Sequence, residues 1–164
     1  MKYILITVLS IVFFACNNTT DKKQVLQTRI DSLEKKITDG YKPGFGEFMS
    51  GIQAHNAKLW FAGQNKNWKL ADFEIHEIME SIAAIQQYET ERKESRLIGM
   101  ISPAIDSVTN AIKQQNAALF ISSYTLLTNT CNNCHHSANF EFNVVKIPDS
   151  QSFSNQDFKV HESN

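Results

Sequence analysis

The sequence predicts an all-α protein: an antiparallel four-helix bundle with an extra N-terminal helix and an irregular C-terminal tail. Three observations predict it. Only 6 Gly and 3 Pro occur among 164 residues, and long stretches contain neither, so helix breakers are confined to a few places. Between residues 45 and 135, four apolar stripes recur at helical spacing. The breaks between them are short, as consecutive antiparallel neighbours require. The chain divides into a signal peptide (1–15), a lipidated tether and stalk helix (16–44), the bundle (45–138) and a tail packing on the bundle (139–164).

Lys2 is a minimal basic start, and residues 3–14 form an apolar run with the length of a signal-peptide core, short for a bilayer span. The run ends in Phe13-Phe14-Ala15-Cys16, which resembles a bacterial lipobox, with Cys16 as the lipidated mature N-terminus. The competing reading is an ordinary N-terminal membrane anchor with an incidental cysteine. Polar residues 17–21 read as a tether.

Helix α1, predicted over residues 21–39, carries Leu26, Ile30, Leu33 and Ile37 at alternating heptad positions among Asp31, Glu34, Lys35 and Lys36. So short a repeat reads as a stalk helix packing on the domain in preference to a self-association seam. Gly40, Pro43, Gly44 and Gly46 then interrupt the chain.

Helix α2 (45–62) places Phe45, Phe48, Met49, Ile52, Leu59 and Trp60 on one face, and residues 63–67 form a turn. Helix α3 (68–88) is predicted to bury Trp68, Ala71, Ile75, Ile78, Met79, Ile82 and Ile85. Trp60 and Trp68 flank the turn and read as its packing core. A charged run over residues 89–96 is solvated. Helix α4 (97–114) carries Leu97, Ile101, Ile105, Val108 and Ile112, with Pro103 in a first turn that Ser102 would cap. Asn116 reads as the N-cap of α5, whose stripe is Ala117, Phe120, Ile121, Tyr124, Leu127, Thr128, Cys131, Cys134 and His135. In the tail, Phe140, Phe142 and Val144 alternate like a short strand, while Phe153 and Phe158 suggest packing against the bundle.

The end of α5 reads Cys131-Asn132-Asn133-Cys134-His135, the C-x-x-C-H pattern of c-type haem attachment. Two thiols one helical turn apart can form thioethers to the two vinyl groups of one porphyrin, and the adjacent imidazole reaches the iron. Zinc would need four ligands and a second such pair, which is missing from the sequence. A thioredoxin-like redox pair belongs beside a βαβ pattern, and a disulfide between positions i and i+3 is strained and closes almost no loop. With Cys16 lipidated and Cys131 and Cys134 joined to one haem c, all three cysteines are assigned. Both modifications belong outside the cytoplasm.

Removing Lys2 with the signal segment leaves 15 basic against 17 acidic residues, and no basic stripe argues for nucleic acid. Glu74, Glu77 and Glu80 with His76 resemble a carboxylate metal site, but a di-metal bundle needs paired Glu-x-x-His motifs on two helices. His76 therefore reads as a surface histidine, and His161 carries no argument.

Four amphipathic helices with C-x-x-C-H near the end of the last one resemble the cytochrome c-prime group, including its low-spin, methionine-ligated members. The resemblance covers residues 45–138 and rests on Met49, the helix pattern, Cys131, Cys134 and His135. With the lipobox and the stretch Lys58-Leu59-Trp60-Phe61-Ala62-Gly63 followed by Asn67-Trp68, the chain is also similar to cytochrome-like lipoproteins of Bacteroidetes. The extra N-terminal helix, the long tail and His136-Ser137-Ala138 in place of a basic residue after the haem histidine depart from the pattern. In the methionine-ligated relatives the sixth ligand comes from the early part of the first helix, which implies Met49. In an antiparallel bundle that position lies beside the end of α5. His55, about 9 Å further along the axis at the helical rise, points to the flank and is the second choice. Met100 also falls at this end, on a helix that is not the family's source of the ligand.

The resemblance implies a membrane-anchored cytochrome with one covalent haem c, His135 as proximal ligand, carrying electrons between redox partner proteins and catalysing no reaction itself. Its alternative is a five-coordinate haem protein that binds or senses NO or CO. Peroxide reduction would need a distal acid or base that only His55 could supply, and a structural lipoprotein with an unused motif is the plainest reading. A periplasm-facing location is expected, with the outer membrane preferred because Asn17 is not an inner-membrane retention signal. Bundles of this kind pair through α2 and α3, so a homodimer is a further expectation.

Overall fold

The computed structural model describes residues 17–38, 40 and 43–161. The predicted signal peptide and Cys16 lie outside the described residues. Among the described residues there are five α-helices, two short 3-10 turns and no strand. None of these helices is long and apolar enough to cross a membrane.

The chain separates into two units, residues 1–42 and 43–164. In the first, α1 spans Asn17–Thr38, and residues 21–37 are all exposed. In the second, α2 spans Phe45–Gln64, α3 Trp68–Tyr88, α4 Ser102–Lys113 and α5 Ala117–Ser137. Helix α2 packs on α3, α3 on α4, α4 on α5, and α5 on α2.

The same device makes the α2–α3 and α4–α5 corners. Each first helix ends at a left-handed residue that is not glycine, Lys66 (φ 55°) and Gln115 (φ 51°). The next amide bonds back five residues, Asn67 N to Ala62 O at 2.9 Å and Asn116 N to Ala111 O at 3.1 Å. This pattern satisfies carbonyls that a helix end leaves open. The asparagine then caps the following helix through its side chain, Asn67 accepting from Leu70 N and Asn116 from Leu119 N. The predicted Asn116 cap is therefore found. Asn139 (φ 62°) ends α5 in the same way, with Phe140 N on His135 O at 2.8 Å.

Helix α4 begins later than its apolar spacing predicts. Residues Glu94–Arg96 and Ile98–Ile101 form 3-10 turns, and Ser102 is the first helical residue, without a capping side chain. Pro103 has no N–H, and its ring opposes the carbonyl four residues earlier, so an α-helix cannot run through from Leu97.

Leu59, Ala62, Ala71, Ile75, Ile85, Val108, Ala111 and Phe120 are wholly inaccessible. Phe120 lies among Trp60, Trp68 and Tyr124, with ring centroids 5.9 to 6.3 Å away. Gly63 allows this close approach, because a Cβ there would stand 2.1 Å from the Phe120 ring. Met79 and Ile121, expected inside, are 40 % and 45 % exposed. Their positions fall at the edge of their stripes, and Glu74 and Ser123 occupy the inner face instead.

Candidate functional site

Cys131, Cys134 and His135 all lie in the last two turns of α5. Spacings of three and four residues put them on one face of the helix. Cys131 is buried, Cys134 half-buried and His135 half-buried, so the motif runs from the edge of the apolar core toward the surface. Both cysteines are free thiols. Burial pushes the Cys131 thiol up to about 11, with the neighbouring Cys134 adding to the shift, and burial also raises Cys134. The Cys134 Sγ contacts Leu97 O at 3.8 Å, which ties the motif to the turns that precede α4.

The left-handed turn at Asn139 sends the tail back along the motif. Asn132 binds it with both ends of its amide: Nδ2 donates to Val145 O and Oδ1 accepts from Val145 N, each at 2.8 Å. His135 Nδ1 lies 2.6 Å from Asn143 O. A carbonyl can only accept, so Nδ1 carries the proton and Nε2 of a neutral ring keeps its lone pair. The tail thus fixes one tautomer of the motif histidine, as an outer hydrogen bond does for a ligating imidazole.

Residues 140–144 are not the strand their alternation suggests. Asn143 N bonds to Phe140 O in a turn, the carbonyls and amides further on are taken by α5 side chains, and no strand occurs among the described residues to pair with. Phe142 and Val144 are more than 70 % exposed. Further along, Phe158 is buried against Phe61, and Asn67 Nδ2 lies 3.3 Å from Phe158 O and 3.1 Å from Lys159 O. Lys58 Nζ sits 5.1 Å from the Phe153 ring centroid.

Met49 is half-buried, one turn into α2, and packs against the core with Phe45 and Phe48. The contacts between α2 and α5 fix which residues are level. Tyr124 Oη donates to Asn56 O at 3.0 Å, the Trp60 and Tyr124 rings are 4.8 Å apart, and Gly63 meets Phe120.

His55 turns away from this face toward α3. Its Nδ1 lies 2.7 Å from Glu74 Oε2, and its Nε2 lies 3.9 Å from Glu77 Oε2. Glu74 is wholly buried, and its Oε1 has no hydrogen-bond partner; the same is true of Asn56 Oδ1. Sequence pattern groups Glu74 with Glu77, Glu80 and His76, and it does not foresee the pair with His55. Position 74 shares the stripe of Ala71, Ile75 and Ile78, and that spacing is the available signal. His76 is exposed, with Nδ1 2.6 Å from Asp72 O on its own helix. Met100 is 43 % exposed.

Among the described residues, no three His, Cys, Asp or Glu side chains converge into a cage for a metal ion. Covalent haem makes no such demand, since the sulfurs join the porphyrin edge and only the imidazole meets the iron. Two thiols one turn apart and a histidine with a free Nε2 fit that group. Comparison with family models, with curated proteins and with solved structures finds no match.

Proposed function

We propose that this chain is a single-haem c-type cytochrome, anchored to a membrane through lipidated Cys16, that carries electrons between redox partners in the cell envelope. The observation that carries the reading is the 2.6 Å contact from His135 Nδ1 to Asn143 O, directly after two free thiols on the same helical face. It leaves Nε2 available to iron and makes the imidazole a better donor. Cys131 and Cys134 would hold the porphyrin through thioethers, and His135 would be the proximal ligand. Bound there, haem supplies a one-electron ferrous–ferric couple.

In this reading α2 to α5 form an up-down-up-down bundle. The opposite run of the Asn56–Tyr124 and Gly63–Phe120 contacts supports it. Seven residues, two helical turns, before Asn56 is Met49, and seven after Tyr124 is Cys131. The same register therefore favours Met49 as the sixth ligand. His55 is already engaged by Glu74. A thioether opposite an imidazole raises the reduction potential above that of two histidines, and apolar surroundings raise it further by disfavouring ferric charge.

The test is the visible spectrum of the protein matured in a host that attaches haem. Wild type gives low-spin bands with a methionine-to-iron charge-transfer feature, and Met49→Ala removes that feature while haem stays attached. A high-spin wild-type spectrum would replace electron carriage with binding of NO or CO.

A further inference from the structure

We propose that α1 is one strand of a parallel two-stranded coiled coil formed with a second copy of this chain. Leu26, Ile30, Leu33 and Ile37 are between 47 and 74 % exposed, on a helix of 22 residues. Their spacings of four, three and four residues set the heptad frame: Leu26 and Leu33 take the d positions, Ile30 and Ile37 the a positions. A β-branched residue at a with leucine at d is the combination that favours two parallel strands over three or four. Lys23, the preceding a position, adds a charge that two strands can extend to solvent and a more closed oligomer would bury.

The flanking charges choose the partner's direction. The g positions are Lys22, Arg29 and Lys36, all basic, and the e positions include Gln27 and Glu34. In a parallel pair, each g residue faces the e residue of the following heptad on the other strand. Arg29 then meets Glu34 of the second copy, twice by symmetry, and Lys22 meets Gln27. An antiparallel pair would instead face the basic g column with another basic g column, and like charges in that geometry repel. A second copy in parallel register is the occupant for which both the apolar seam and the charges are complementary. The seam has only four apolar positions per strand, so association is concentration-dependent and strengthens when copies share one surface. It involves neither the haem motif nor α2 to α5.

The experiment is sedimentation equilibrium of the full chain, alone and in mixtures of charge variants. Wild type is expected to show a reversible monomer–dimer equilibrium. Arg29→Glu and Glu34→Arg, each alone, place like charges across the seam and weaken dimerisation by about tenfold. Mixed in equal amounts, the two variants are complementary again. The carboxylate introduced at position 29 of one faces the guanidinium introduced at position 34 of the other, the unchanged Arg29 and Glu34 face each other, and dimers return as heterodimers. These substitutions lie on the exposed face of α1, and an unchanged circular dichroism spectrum checks its helicity. A wild type that stays monomeric to about 100 μM, the range of weak specific association, would overturn the proposal. So would dimers unaffected by the single substitutions, or a mixture that fails to restore them.

Discussion

The His55–Glu74 pair offers the sharpest test of how this core tolerates charge. Glu74 is fully inaccessible, its Oε2 has one short contact with His55 Nδ1 at 2.7 Å, and its Oε1 has no partner. His55→Leu leaves the carboxylate desolvated without that contact, a change that costs about 3–5 kcal/mol when one member of a buried pair is lost. The imidazole side of the pair is 23 % exposed, so some water can enter, and a loss near the lower bound, about 3 kcal/mol, is expected. Glu74→Leu is milder, about 1 kcal/mol, because the freed imidazole reaches solvent. The double variant replaces both groups with apolar ones and should return to within about 1 kcal/mol of wild type. The assay is urea unfolding at pH 7 of the four proteins, followed by far-ultraviolet circular dichroism. A cost below about 1 kcal/mol for His55→Leu, or a double variant that loses the sum of the two single losses, would refute the coupling.

Gly63→Ala drives a methyl group into the Phe120 ring, which Trp60, Trp68 and Tyr124 hold in place. Overpacking of this kind costs about 1–3 kcal/mol, partly offset by the helix preference of alanine, and a lowered Tm is the expected reading. Asn132→Ala removes two 2.8 Å hydrogen bonds to Val145 and should cost about 1–3 kcal/mol. Faster hydrogen exchange at the Val145 amide checks that the tail has come away. Burial raises the Cys131 thiol to about 11 in the folded chain, so the fold favours the neutral thiol. That contribution is fully present below the unfolded thiol's pKa, near 9, and is lost as pH rises through 11; it amounts to about 2–3 kcal/mol. Denaturation of the haem-free chain between pH 8 and 11, compared with Cys131→Ala, should show that slope.

Local pattern makes much of this molecule readable. Asn116 announces α5 because a capping amide acts within three residues, and the C-x-x-C-H pattern of residues 131–135 is legible because its spacing is one helical turn. The late start of α4 is written in Pro103, but the apolar residues from Leu97 onward keep their helical spacing through a 3-10 turn. Glu74 sits on the inner stripe, and its charge argues against burial until His55, 19 residues earlier, supplies a partner. The tail is the least readable part. Alternating Phe140, Phe142 and Val144 satisfy a strand's pattern with no strand among the described residues to pair with. The contacts of Asn132 and His135 with the tail depend on a left-handed reversal at Asn139, a conformation asparagine accepts readily but which does not by itself say where the chain goes next.

The most direct measurement is the intact mass and colour of the mature chain made with a working haem-attachment apparatus, beside the Cys131→Ala, Cys134→Ala double variant. One porphyrin's added mass and a visible absorption band are expected in the first, and neither in the second. A colourless wild-type chain whose residues 131–135 carry no added mass would contradict the haem assignment.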